Sequence, residues 1–171
     1  MEPPSMASEA SSKGSWVILS SLFMALILTI LPLPEGVPME MGYLRPDWLA
    51  LVIVYWTLAL PDRVGLLTAF FVGLLADVIS GSLLGLHAMG LVMVASFALA
   101  AYQRIRMLAV WQQATIVFLI LTLLQIVSVL ITVQLSGRAF SWLTFLIPLV
   151  SALVWPWIFL GLRALRRRFI N

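Results

Sequence analysis

One acid and one imidazole stand close together in GLLADVISGSLLGLH, residues 73 to 87, a stretch that otherwise resembles hydrocarbon. Asp77 precedes a Ser80-Gly81-Ser82 turn, and His87 lies five residues past Ser82. Two antiparallel helices joined by that turn carry both side chains at comparable depth, so the pair can exchange or share a proton. No P-loop, metal motif or nucleophile elbow accompanies them. The remaining aspartates, Asp47 and Asp62, fall near other segment ends and do not gather with Asp77 into a catalytic set. With one histidine and no cysteine, a thiolate nucleophile and a His/Cys metal site are excluded. The chemistry legible here is binding and packing, and no cofactor is expected.

Composition explains why a charge in this stretch needs an account. The 171 residues are 63% hydrophobic and 10% charged, and the mean hydropathy is +1.10. A polar surface around a water-soluble core cannot be made from that mixture, so the chain reads as an all-α integral membrane protein. Its net charge of +3 resides in short segments between apolar runs. That is the distribution of topology signals, and nucleic acid is not an expected partner.

Six apolar runs must position the acid and the imidazole. Residues 1 to 15 are rich in Ser, Pro and Glu and predict a mobile cytoplasmic tail, followed by a transmembrane domain over 16 to 169. The runs are Trp16 to Leu33, Asp47 to Leu60, Val64 to Ile79, Leu83 to Ala101, about Ala109 to Gln134, and about Phe140 to Leu162. The second and third are short for a hydrocarbon core about 30 Å thick, and either recruit flanking residues, thin the bilayer or form a re-entrant hairpin buried in protein. Six crossings with both termini cytoplasmic leave Lys13, Arg63, Arg104, Arg106, Arg163, Arg166, Arg167 and Arg168 inside, and only Arg45 and Arg138 outside. The positive-inside rule favours that arrangement. Trp16 and Trp111 then mark one interface, and Trp48 and Trp142 the other.

Within the third run, Gly65, Ala69, Gly73 and Asp77 recur at four-residue spacing. They form one stripe of small residues ending in the carboxylate. Lipid already solvates leucine well, so helices associate where small side chains permit close approach, either within the bundle or against a partner. Asp77 is expected to face protein, or to organise the turn while Gly81 ends one helix and Ser82 caps the next. Gly81 and Gly85 add a GxxxG spacing. In the fifth run Thr122, Gln125, Ser128 and Thr132 share a face suited to bonding neighbouring helices, with a ligand pocket as the alternative. Gln112 and Gln113 beside Trp111 read as interfacial. Trp155-Pro156-Trp157 predicts a bend flanked by two indoles. RALRRRF, 163 to 169, is a basic end that topology alone explains, though such a cluster is also able to attract anionic lipid or an acidic partner surface.

RPDW (45 to 48), YWTLALPDRVG (55 to 65), GLLADVISGSLLG (73 to 85), WQQA (111 to 114) and WPWIFL (155 to 160) together resemble the MreD family of rod shape-determining inner-membrane proteins of Gram-negative bacteria. The resemblance runs from about Trp16 to Phe169, with Asp47 and Asp62 standing where the family pattern has Asn and His. It implies a six-helix fold similar to the substrate-binding subunits of energy-coupling-factor transporters. It implies a non-enzymatic scaffold of the cell-wall elongation machinery that binds the bitopic protein MreC. MreB, RodA and a penicillin-binding transpeptidase are the wider partners so implied. The competing reading is a transporter-like subunit that captures a lipid or small molecule.

Overall fold

The computed structural model describes residues 6–31, 39–136 and 141–169, with side chains described over 14–31, 41–135 and 141–169. Leu33, Arg138 and Phe140, named above as segment ends or charges, lie outside the described residues. Six α-helices occur among those described: α1 (Met6–Ile30), α2 (Trp48–Ala59), α3 (Leu66–Ser80), α4 (Leu86–Ile105), α5 (Val110–Ser136) and α6 (Leu146–Phe169). Short 3-10 turns at Met39–Leu44 and Trp142–Phe145 lead into α2 and α6.

Twelve residues make α2 the shortest helix, about 18 Å long at 1.5 Å per residue. Leu49 to Leu58 are all buried. A helix apolar on every side and shielded on every side is a core element. It packs against α1, α4, α5 and α6, while α3 lies mainly along α4. The outer helices touch in the circular order α3, α4, α5, α6, α1, and the contact that closes the circle, α1 to α3, is the slightest. The short second run is thus shielded by the other helices along its length.

Polar side chains fasten α2 in place. The Asp47 carboxylate accepts from the Ala50 N–H at 3.0 Å and so caps the helix, as an Asn at that position also would. The Asp47 N–H donates to Ser151 Oγ of α6 at 2.8 Å. Trp56, fully buried, donates its indole N–H to Ser21 Oγ of α1 at 2.7 Å. At the far end Leu60 closes the helix on the Trp56 carbonyl just before Pro61, which cannot continue it.

The three segments Leu86–Ile105, Val110–Leu135 and Trp142–Phe169 are each long and apolar enough to cross a membrane; Gly14–Ile30 and Leu66–Ser80 are apolar but shorter. α1 begins at Met6, inside the segment read as a tail. α4 starts at Leu86 rather than Leu83, because Asp77 and Gly85 place the turn of the chain later than Ser82 does. α6 passes through Pro156 without ending. Trp155 is fully buried there, tilted against Phe159 with ring centroids 6.1 Å apart, whereas Trp157 points outward. The two indoles flanking the proline thus have different surroundings.

Candidate functional site

The α3–α4 hairpin depends on Asp77. Its main-chain carbonyl accepts from the Gly81 N–H and from the Ser82 N–H at 3.2 Å, which ends α3. Its side chain begins α4. Oδ1 accepts from Ser82 Oγ at 2.8 Å, the His87 N–H at 3.0 Å and His87 Nδ1 at 2.8 Å. Oδ2 accepts from the Gly85 N–H at 2.9 Å and the Ala88 N–H at 3.3 Å. Both oxygens are therefore saturated by donors, and the carboxylate occupies the positive end of the helix dipole. This offsets the desolvation of a side chain with no exposed surface.

A carboxylate only accepts, so Nδ1 of His87 carries the ring proton in this contact and Nε2 is left as the second functional atom. Ser82 donates to Asp77 instead of capping α4 directly. The expected Ser82 cap is thus corrected: Gly85 is the residue before α4, and Asp77 supplies the capping oxygens. Gly81 and Gly85 adopt φ of +61° and +96°, left-handed conformations that glycine takes at no steric cost. A Cβ at either would meet nothing within 4 Å. Their GxxxG spacing therefore serves the turn, and among the described residues no helix packs on it.

The stripe on α3 is covered by the chain's own α4. A Cβ on Gly73 would lie 2.4 Å from Ala88 Cα and 2.7 Å from Ala88 N. Ala69, Gly73 and Asp77 are buried. Gly65, by contrast, stands before the first turn of α3 with open space around its Cα. The close-packed ridge is therefore shorter than the periodic pattern, spanning Ala69 to Asp77.

His87 also borders a cavity of about 350 Å³. Arg45, Asp47, Gln125 and Ser128 line it with His87 and Thr29. Arg45 donates to the Leu28 carbonyl in the last turn of α1 at 3.0 Å, a cation at the negative end of a helix. Arg45 and Asp47 bring a basic and an acidic side chain to it, Gln125 and Ser128 an amide and a hydroxyl, and Leu28, Leu49, Leu91, Leu124 and Ile147 an apolar remainder. Such a mixed lining has the character of a small-molecule pocket. It offers no activated nucleophile. Among the described residues no group of three or more His, Cys, Asp or Glu side chains is arranged to hold a metal.

Of the polar face on α5, Gln125 and Ser128 reach this cavity. Thr132 donates back to the Ser128 carbonyl at 2.8 Å, and the buried Thr122 hydroxyl has no partner. The four residues do not bond across to neighbouring helices among the described residues. Sequence reasoning had not joined Arg45 and Asp47 to this site. The available signal was a charged pair bracketing Pro46 immediately before an apolar run.

A family profile described as rod shape-determining protein MreD matches residues 10–165. The chain belongs to the MreD family. A curated relative, "Rod shape-determining protein MreD" of Haemophilus influenzae (strain ATCC 51907 / DSM 11121 / KW20 / Rd), is 37% identical over 155 residues, covering 90% of this chain and 92% of the relative. No solved structure matches. As an MreD family member the chain is a membrane protein with a role in cell shape, and the family is defined by that role, not by a reaction.

Proposed function

We propose that this MreD family protein is a non-enzymatic scaffold of the bacterial inner membrane. It binds the transmembrane helix of MreC and thereby helps to hold together the machinery that elongates the wall of rod-shaped cells. The family match over residues 10–165 carries the reading. In the proposed topology all six helices count as crossings, with α2 sheathed inside the bundle and both termini cytoplasmic. The bias of Lys and Arg along the sequence supports that orientation.

The packing of α4 on the α3 ridge supports a docking surface for MreC elsewhere on the bundle. α1 and α3 meet only slightly, and an apolar groove of about 660 Å³ opens between them, lined by Leu19, Ser20, Phe23, Thr68, Phe71 and Leu75 among others. A single apolar helix suits such a seam, with Ser20 and Thr68 allowing close approach.

The test is copurification with MreC from detergent. Thr68→Trp fills the groove and is expected to reduce MreC recovery by roughly tenfold, while Leu119→Trp on exposed α5 leaves it unchanged. Equal recovery with both variants places the partner elsewhere. A wild-type chain that recovers no MreC defeats the scaffold reading. The polar cavity beside His87 supports a second reading, capture of a small molecule or lipid by a transporter-like bundle. A defined compound retained through purification, and lost on Gln125→Leu, would favour it.

A further inference from the structure

At the opposite end of α2 from Asp47, three arginines converge. A cavity of about 200 Å³ is lined by Arg106, Arg163 and Arg166 together with Tyr55, Gln113 and Phe159, and among the described residues no carboxylate borders it. Arg163 lies over the Phe159 ring, 5.9 Å from its centroid. Like charges drawn together raise the local potential and attract an anion.

Two side chains of the cavity are built into the core yet leave polar atoms unpaired. Tyr55 and Gln113 are each 3% exposed. The Gln113 amide nitrogen donates to the carbonyls of Ile105 at 3.1 Å and Leu108 at 3.2 Å, where α4 ends. That anchors the amide and leaves Oε1 as the outward acceptor. Oε1, the Tyr55 hydroxyl and Arg166 Nε are buried and meet no partner among the described residues. Buried polar atoms are ordinarily satisfied, and each exception calls for an explanation.

The three arginines supply charged forks for a phosphate, Tyr55 supplies a donor, and Gln113 Oε1 asks for a hydroxyl. We propose that this cavity binds the headgroup of an anionic phospholipid, a phosphodiester whose alcohol carries a free hydroxyl. Phosphatidylglycerol has that chemistry. The basic end of α6 alone does not account for the arrangement, since Arg167 and Arg168 do not line the cavity, and Arg168 lies over Phe169 instead. In the proposed orientation the site meets the cytoplasmic leaflet.

The full chain in detergent is offered phosphatidylglycerol, phosphatidylcholine or glycerol 3-phosphate, and bound lipid is read by native mass spectrometry. Phosphatidylglycerol is expected to be retained roughly tenfold above phosphatidylcholine, with R163Q/R166Q lowering retention to a similar degree. Y55F should lower it by about threefold, and R167Q/R168Q should leave it unchanged. Thermal melts of each variant confirm that the fold is intact, and Y55F carries the test alone should the double arginine variant not fold. Equal retention of phosphatidylcholine overturns the proposal, as does equal loss in R167Q/R168Q, which marks diffuse attraction to the tail. Competition by glycerol 3-phosphate as strong as that by the lipid assigns the cavity to a soluble anion and also overturns it. The assay contains no MreC, so its failure is separate from failure of the scaffold reading.

Discussion

The two polar clusters at the ends of this bundle treat buried atoms in opposite ways. Around Asp77, five donors converge on one carboxylate. Around Tyr55, two neutral side chains and an arginine leave buried atoms unpaired beside three positive charges. The first cluster is complete within the chain and makes a joint between two helices. The second is incomplete among the described residues, and the proposed lipid headgroup would complete it. A saturated network in apolar surroundings is worth most as structure, whereas an unsaturated one is a place for a ligand.

Three substitutions break or sharpen this contrast. Gly73→Leu should have the largest effect, since even a first carbon has no room against the Ala88 backbone. Folded protein is expected to be lost whether or not MreC is coexpressed, as measured by monodisperse yield from detergent. Accumulation of a normally folded Gly73→Leu chain would show that α3 and α4 are not tightly joined. Asp77→Asn comes next. An amide nitrogen would face donors that a carboxylate oxygen accepts, and breaking a buried charged contact costs about 3–5 kcal/mol. A large fall in melting temperature, with α3 and α4 amides becoming quick to exchange hydrogen, is the expected readout.

Tyr55→Phe should do least to the lipid-free protein. Its hydroxyl has no partner among the described residues, so removal is expected to leave stability within about 1 kcal/mol of the starting value. Thermal melting with and without phosphatidylglycerol checks this, since the lipid should protect the original chain more than the variant. A marked destabilisation without lipid would mean that Tyr55 belongs to a closed network like that of Asp77, and the contrast would vanish.

Much of the hairpin was legible from residue types. A carboxylate, a Ser-Gly-Ser turn and a histidine beyond it imply a short list of contacts, and Gly73 recurs with Ala69 at helical spacing. The direction of packing was not legible. α2 and α5 are both nearly uniformly apolar, yet α2 is buried on all sides and most of α5 is not. In water such uniformity would mark a core helix, but lipid accepts the same side chains, so the usual amphipathic signal is lost. Gln113 shows the same difficulty. Beside Trp111 it reads as interfacial, whereas it is buried and closes α4, while Gln112 caps its own helix by accepting the Ala109 N–H at 3.1 Å. Arg106, Arg163 and Arg166 come from distant segments, and only the folded chain brings them to one cavity.

The double duty of Asp77 bears on how the protein is made. Its backbone finishes one arm of the hairpin, and its side chain is neutral in effect only when the other arm supplies its amides. A nascent chain that released the first arm into lipid on its own would strand a naked anion there. The pair is therefore best delivered to the bilayer together, which makes the hairpin a unit of insertion as well as of packing.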